Sequence, residues 1–218
     1  MAALKAMLNY GAASQEYFGY KTDALANASL SEADKALAFD NSYLTSLIKI
    51  DEAVAAAFAS TETITNNGQT LILEGATSIK FYMGVGEDST KFEAAESAIF
   101  YFWTEEDYKA ILASGAVLSV ENASYTKTAE FAYAGASYGY EFSAASDEFV
   151  AKDLGKTLYT ALVVVDSEGV THCSGVIAYS PEAYAEYKLN DGVESGIDTL
   201  VKWLVVYGEY AKTYLENK

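Results

Sequence analysis

The chain has 218 residues, 51% apolar and 14% aromatic, enough for one sizeable core, with a net charge of −17. All fourteen of its basic residues are lysines. With no guanidinium fork to clamp phosphate, and an acidic surface that repels polyanions, neither nucleic acid nor an anionic membrane suits it as a partner.

No apolar run approaches the roughly 18 to 20 residues of a membrane span, so membrane insertion is not expected. The single cysteine, Cys173, rules out an internal disulfide. That fits a reducing compartment but equally the secreted proteins of anaerobes, so it leaves the compartment open. The opening MAALKAML has one lysine and no apolar h-region, so it is not a signal peptide. A start inside a helical pattern reads as a cut chain with an added Met.

The first helix is expected over Ala3 to Phe18, with Leu4, Met7, Leu8 and Ala12 near one stripe. Ser31 with Asp34 three residues on is a capping box for a short helix over Glu32 to Ala38. Asp40 to Ala59 is ambiguous between helix and strand. From Thr61 the period changes to two. Thr61 to Asn66 and Thr70 to Leu73 read as a hairpin turning at Asn67-Gly68, and Thr77 to Val85 as the next strand. Ser97 to Trp103, SAIFYFW, is rich in sheet-favouring residues. Thr104, with Asp107 at the third position, then caps a helix that Gly115 stops.

Ala116 to Glu121, Thr126 to Ala134 and Ser137 to Ala144 continue as strands, and Ser146 caps a helical turn over Asp147 to Lys152. Leu158 to Val165 and Val170 to Tyr179 form the clearest hairpin, turning through Asp166-Ser167-Glu168-Gly169. Ser180-Pro181 opens a helix that ends near Leu189, and Ser195 with Asp198 opens the last one. Helices at both ends with strands between predict an α+β chain: an antiparallel β-sandwich of about eight strands flanked by N- and C-terminal helices. We divide this single domain into a helical leader (1–60), a β body (61–180) and C-terminal helices (181–218).

The last helix echoes the first. Setting Tyr10-Gly11 on Tyr207-Gly208 places Lys5 on Lys202, Met7 on Leu204, Tyr17 on Tyr214 and Phe18 on Leu215. Glycine inside a helix costs roughly 1 kcal/mol relative to alanine. Keeping it twice predicts a close neighbour at each site, and similar helices at both ends suggest a unit that joins others of its kind.

Three stretches, Lys5 to Asn27, Ile177 to Leu189 and Leu200 to Leu215, together with the strand Ser78 to Met83, resemble segments of large secreted or surface proteins of gram-positive gut anaerobes. Those proteins are often multimodular and sometimes dockerin-bearing. The resemblance touches about a third of the chain, through helix and core patterns. It implies an extracellular or cell-surface module with neighbouring modules in the same chain, and it supplies no catalytic residues.

The residues themselves offer little chemistry. His172 and Cys173 are neighbours in a strand, so they point to opposite faces and do not pair as base and nucleophile. One His and one Cys cannot make a zinc site of the usual composition. There is no G-x-S-x-G elbow, P-loop or dinucleotide fingerprint. Glu93, Glu96, Glu121, Glu130, Glu141 and Asp147 lie in or near the β region, where two facing carboxylates would make a glycosidase. No cofactor is called for, although Gly86-Glu87-Asp88-Ser89 and Asp191-Gly192-Val193-Glu194 are oxygen-rich loops open to calcium; neither is an EF-hand.

The aromatics remain. Tyr101 and Trp103 share one face of their strand, Phe100 and Phe102 the other, and in a two-layer sandwich only one face is core. Either helices cover the second face, or Tyr101 and Trp103, with Tyr138 and Tyr140, form a binding surface for a glycan or a protein. The expectation is a non-catalytic extracellular module that binds such a ligand or spaces other modules. The alternative is a small β-sandwich carbohydrate-active enzyme using paired carboxylates.

Overall fold

The computed structural model describes residues 2–36, 39, 42, 44–45, 48–86, 90–192 and 195–218. Helix α1 (Ala2–Phe18) leads into a segment that folds back along it. Lys5 pairs with Asp34 at 2.6 Å, and Asn9 donates to the Asp34 carbonyl at 2.9 Å. Within this segment α2 (Glu32–Lys35) starts on the Ser31 cap; the last two residues of the expected helix lie outside the described residues. Of the ambiguous leader, α3 (Glu52–Ala55) is capped by the Asp51 carboxylate and runs into a 3-10 turn, Ala56–Phe58.

The body follows as β1 (Thr65–Ile72), β2 (Ser78–Gly86), α4 (Thr90–Glu93), β3 (Ser97–Trp103), α5 (Glu105–Ser114), β4 (Tyr125–Thr128), β5 (Glu130–Tyr133), β6 (Tyr140–Ala145), β7 (Leu158–Val165), β8 (Thr171–Cys173) and β9 (Ile177–Tyr179). Two helices close the chain, α6 (Pro181–Asn190) and α7 (Gly196–Glu216). The chain is α+β, with nine antiparallel strands and seven α-helices among the described residues. One sheet has the order β1-β2-β6-β5; the other has β4-β3-β7-β8, with β9 also on β7. Both sheets feed one buried cluster: Ile79, Phe81, Met83 and Phe142 from the first, and Phe100, Phe102, Leu162 and Val164 from the second.

Five expected elements come out differently. The returning strand Val170 to Tyr179 is broken into β8 and β9, both paired with β7. The hairpin at Asn67-Gly68 is instead one strand, β1, which passes through those residues in a bulge. Asn66 Oδ1 accepts the Gly68 N–H at 2.9 Å, and Gly68 takes φ +119° without reversing the chain. Thr126 to Ala134 is two strands: β4 pairs with β3 in one sheet and β5 with β6 in the other, so the chain changes sheet at Ala129. Ala116 to Glu121 forms no strand; it ends in a 3-10 turn over Val120–Asn122. Ser146 does not cap a helical turn. It accepts the Ile79 N–H at 3.0 Å and donates to the Asp147 carbonyl at 2.8 Å, and the turn forms later, at Ala151–Asp153.

The strong local signals hold. Thr104 accepts the Asp107 N–H, and Gly115 takes the left-handed conformation that closes α5. Ser180 caps α6 ahead of Pro181, and the Ser195–Asp198 capping box starts α7. α7 then packs antiparallel on α1: Tyr10 lies on Tyr207, while Tyr17 approaches Gly196. The leader also reaches the body through Val54 and Phe58, which share a buried cluster with Trp103, Tyr108 and Leu118.

Candidate ligand-binding cleft

Trp103 is the first expected site residue that the structure corrects. It is fully buried, its ring edge-on to Phe58 at 5.0 Å and its indole N–H donating to Asn122 at 3.0 Å. Tyr101, on the same face, is half-buried with its ring centroid 6.1 Å from that of Phe58. The 3-10 turn after α3 and helix α5 therefore cover the second face of β3, and both faces of this strand are core. Tyr140 is also half-buried, stacked on Phe131 at 5.7 Å. Of these four, only Tyr138 stands well clear of the surface, 57% exposed, and it lines a cleft with a tyrosine-rich wall.

That cleft has a volume of about 590 Å³. Its floor is the bulged edge strand, Asn67 to Thr70, with Tyr82 of β2 and Glu141 of β6 beside it. One wall is Ala134 and Tyr138, carried by the β5–β6 connection, where Gly135 (φ +101°) and Gly139 (φ +66°) supply the reversal. The other wall is Tyr179 at the end of β9, with Ala183 and Tyr187 of α6. Four tyrosines thus meet from segments far apart in sequence.

The bulge aims the polar groups. It lays the Asn67 amide flat over Gly84, where a side chain would come within 2.6 Å of it. There Asn67 donates to Glu141 Oε2 at 3.2 Å. Thr70 and Tyr82 share a hydrogen bond at 3.3 Å. Burial, and then the nearby Tyr184, push the Tyr179 hydroxyl up to about 12, which keeps it a neutral donor at any physiological pH. No lysine lines the cleft. Of these residues only Tyr138 was expected as a binder and Glu141 as a carboxylate. Asn67 read as a turn residue, and Tyr82, Tyr179 and Tyr187 as ordinary strand and helix positions.

The remaining candidates lie outside this cleft. His172 lies 2.8 Å from Asp166, whose other oxygen accepts the Glu168 and Val170 N–H groups and fixes the β7–β8 turn. The His172 contact, with these N–H donors and Lys91, holds the Asp166 carboxyl at about 2. Cys173 points away, its thiol toward the Phe58 carbonyl. Glu130 pairs with Lys80 at 3.4 Å and Asp147 with Lys127 at 2.5 Å. A separate charged cleft of about 340 Å³ brings together Glu182, Glu209 and Lys212, which the sequence did not single out; burial, then Glu209, raise the Glu182 carboxyl. The two oxygen-rich loops fall partly on residues 87–89 and 193–194, outside the described residues. Among the described residues no three His, Cys, Asp or Glu side chains are grouped to hold a metal, and no helix is long and apolar enough to cross a membrane.

Comparison with known protein families, with curated proteins and with solved structures returned no match.

Proposed function

We propose that this chain is a non-catalytic module of a larger extracellular or cell-surface protein, built as a two-layer β-sandwich, and that it holds a glycan or protein ligand in the tyrosine-lined cleft. The observation behind the binding role is the convergence of Tyr82, Tyr138, Tyr179 and Tyr187 on one concave surface with an amide–carboxylate pair at its floor. Rings with polar edges beside fixed hydrogen-bonding groups make a recognition surface, and this cleft offers no nucleophile–base pair. The sandwich reading rests on the core that both sheets share.

The test is retention on insoluble plant cell wall, bacterial cell wall and immobilised mucin, comparing the chain with a Tyr138→Ala/Tyr187→Ala double variant. Retention that the double variant loses, with no sugar released, supports the reading. Equal retention by both proteins, or hydrolysis that one carboxylate substitution abolishes, overturns it.

The module also has a face for a neighbour. α7 packs through Val201, beside Tyr184 and Ala185 of α6, and through Leu204 and Gly208, beside Leu154, and the aligned residues of α1 include Leu4 and Met7, which are 55% and 41% exposed. The neighbour that fits this face is a second β body of the same kind, seated on Leu4 and Met7 but not on Gly11, which Ala26 already covers.

A further inference from the structure

We infer that the cleft's ligand is a neutral polysaccharide, read by the Asn67–Glu141 pair and flanked by Tyr138 and Tyr187; this rests on the cleft being the binding site. Three observations select that class.

The first is charge. The lining contains one carboxylate, Glu141, and no cation; the lysines that flank it, Lys80 against the Tyr82 ring and Lys188 against the Tyr187 ring, are paired with Glu130 and Asp191, in a chain of net charge −17. A uronic-acid or sulfated chain would be repelled, whereas sugar hydroxyls can donate to Glu141.

The second is the state of the β1 edge. An extended peptide would bind here by adding a strand, which needs a regular row of free N–H and C=O groups. The bulge shifts the register between Asn66 and Gly68, and the Gly68 N–H is already taken by Asn66 Oδ1 at 2.9 Å. The edge is blunted where the cleft crosses it, so recognition falls to side chains.

The third is the pairing of rings with a polar fork. Asn67 is held over Gly84 with one amide hydrogen on Glu141, leaving its other hydrogen and the remaining carboxylate lone pairs for a ligand. A donor and an acceptor side by side match the adjacent hydroxyls of a pyranose. Tyr138 and Tyr187, 57% and 58% exposed, both line the cleft and can stack on the C–H faces of the sugars, Tyr187 through the ring face that Lys188 leaves open. At about 590 Å³ the cleft lies within the range of about 300–1,000 Å³ that accommodates a ligand of several rings.

Native affinity electrophoresis tests this. The gels would contain xylan, galactomannan, mixed-linkage β-glucan or hydroxyethylcellulose as neutral probes, and polygalacturonate as the acidic one. The expected result is retardation by at least one neutral polymer and none by polygalacturonate. Tyr138→Ala and Asn67→Ala, each with an unchanged melting temperature, should weaken that retardation by roughly tenfold. Retardation by polygalacturonate alone, lost in Tyr138→Ala, keeps the cleft as a binding site but overturns the neutral class. Retardation by a neutral polymer that neither variant changes places binding elsewhere and overturns the assignment to this cleft. No retardation in any gel overturns the proposal, while retention on the insoluble materials separately decides the broader binding role.

Discussion

Tyr10 and Tyr207 stack with ring centroids 6.2 Å apart and planes 17° from parallel, each one residue before a glycine in the middle of its helix. The tyrosines of the two matching dipeptides therefore meet, while their glycines face different neighbours. Burial raises the Tyr10 hydroxyl, as befits a ring held between helices.

The glycines beside them are unequal. A Cβ on Gly208 would lie 2.9 Å from Leu154 Cδ1 and 3.0 Å from the Ala151 carbonyl oxygen. The Leu154 methyl could turn aside, but the backbone oxygen cannot. Gly208→Ala should therefore destabilise by about 1–2 kcal/mol, overpacking outweighing the roughly 1 kcal/mol gain in helix propensity. On Gly11 the nearest atom is Ala26 Cβ at 3.1 Å, in a half-exposed segment. Gly11→Ala should be near neutral or slightly stabilising. Thermal melts of both variants decide; a Gly208→Ala protein that melts higher than wild type would rule out the close contact.

The exposed face of α1 should cost little to change. Leu4→Gln and Met7→Gln should shift stability by less than about 0.5 kcal/mol, whereas Leu204→Ala, at an aligned position only 2% exposed, should lose about 2–5 kcal/mol. Denaturant titration measures both. The neighbour proposal adds a second readout: Met7 should oxidise readily with peroxide in this chain and slowly when a neighbouring β body is joined to it. Equal rates would remove that face as a docking site.

Trp103→Ala should cost about 3–5 kcal/mol, because it empties a fully buried site and leaves Asn122 without the indole donor. Trp103→Phe should cost less. Where the Phe variant folds, its retention on any ligand should equal that of wild type, since the ring has no exposed face. A folded Trp103→Phe protein that has lost binding would contradict this.

Acid should weaken the β7–β8 turn. The Asp166 carboxyl is held at about 2, below its unfolded value of about 3.9. A lowered folded pKa contributes stability that is complete above the unfolded value and lost as pH falls through the folded one. Melting temperature should therefore drop between about pH 4 and pH 2, and Asp166→Asn should flatten that slope while lowering stability at neutral pH. Asp34, Glu106 and Asp153 are also lowered, so a shallower acid limb should remain. An unchanged slope in Asp166→Asn would show that the turn does not depend on this carboxylate.

The sequence by itself determined what depends on neighbours a few residues apart. The Thr104 cap and Gly115 stop, the Ser180-Pro181 start, the Ser195–Asp198 box and the strand SAIFYFW all form as read, because capping bonds, φ preference and side-chain alternation act within one or two turns of chain. Tertiary structure alone decided the rest. Asn67-Gly68 has the composition of a turn, yet pairing with β2 absorbs it as a bulge. Side-chain alternation leaves Trp103 and Tyr101 open as a binding face; Phe58, more than forty residues upstream, covers them. The cleft gathers Asn67, Tyr82, Tyr138, Glu141, Tyr179 and Tyr187 from both sheets and α6. Which side of a strand meets solvent is set by the layer packed over it, and that layer comes from residues too far away in the chain for any local pattern to report.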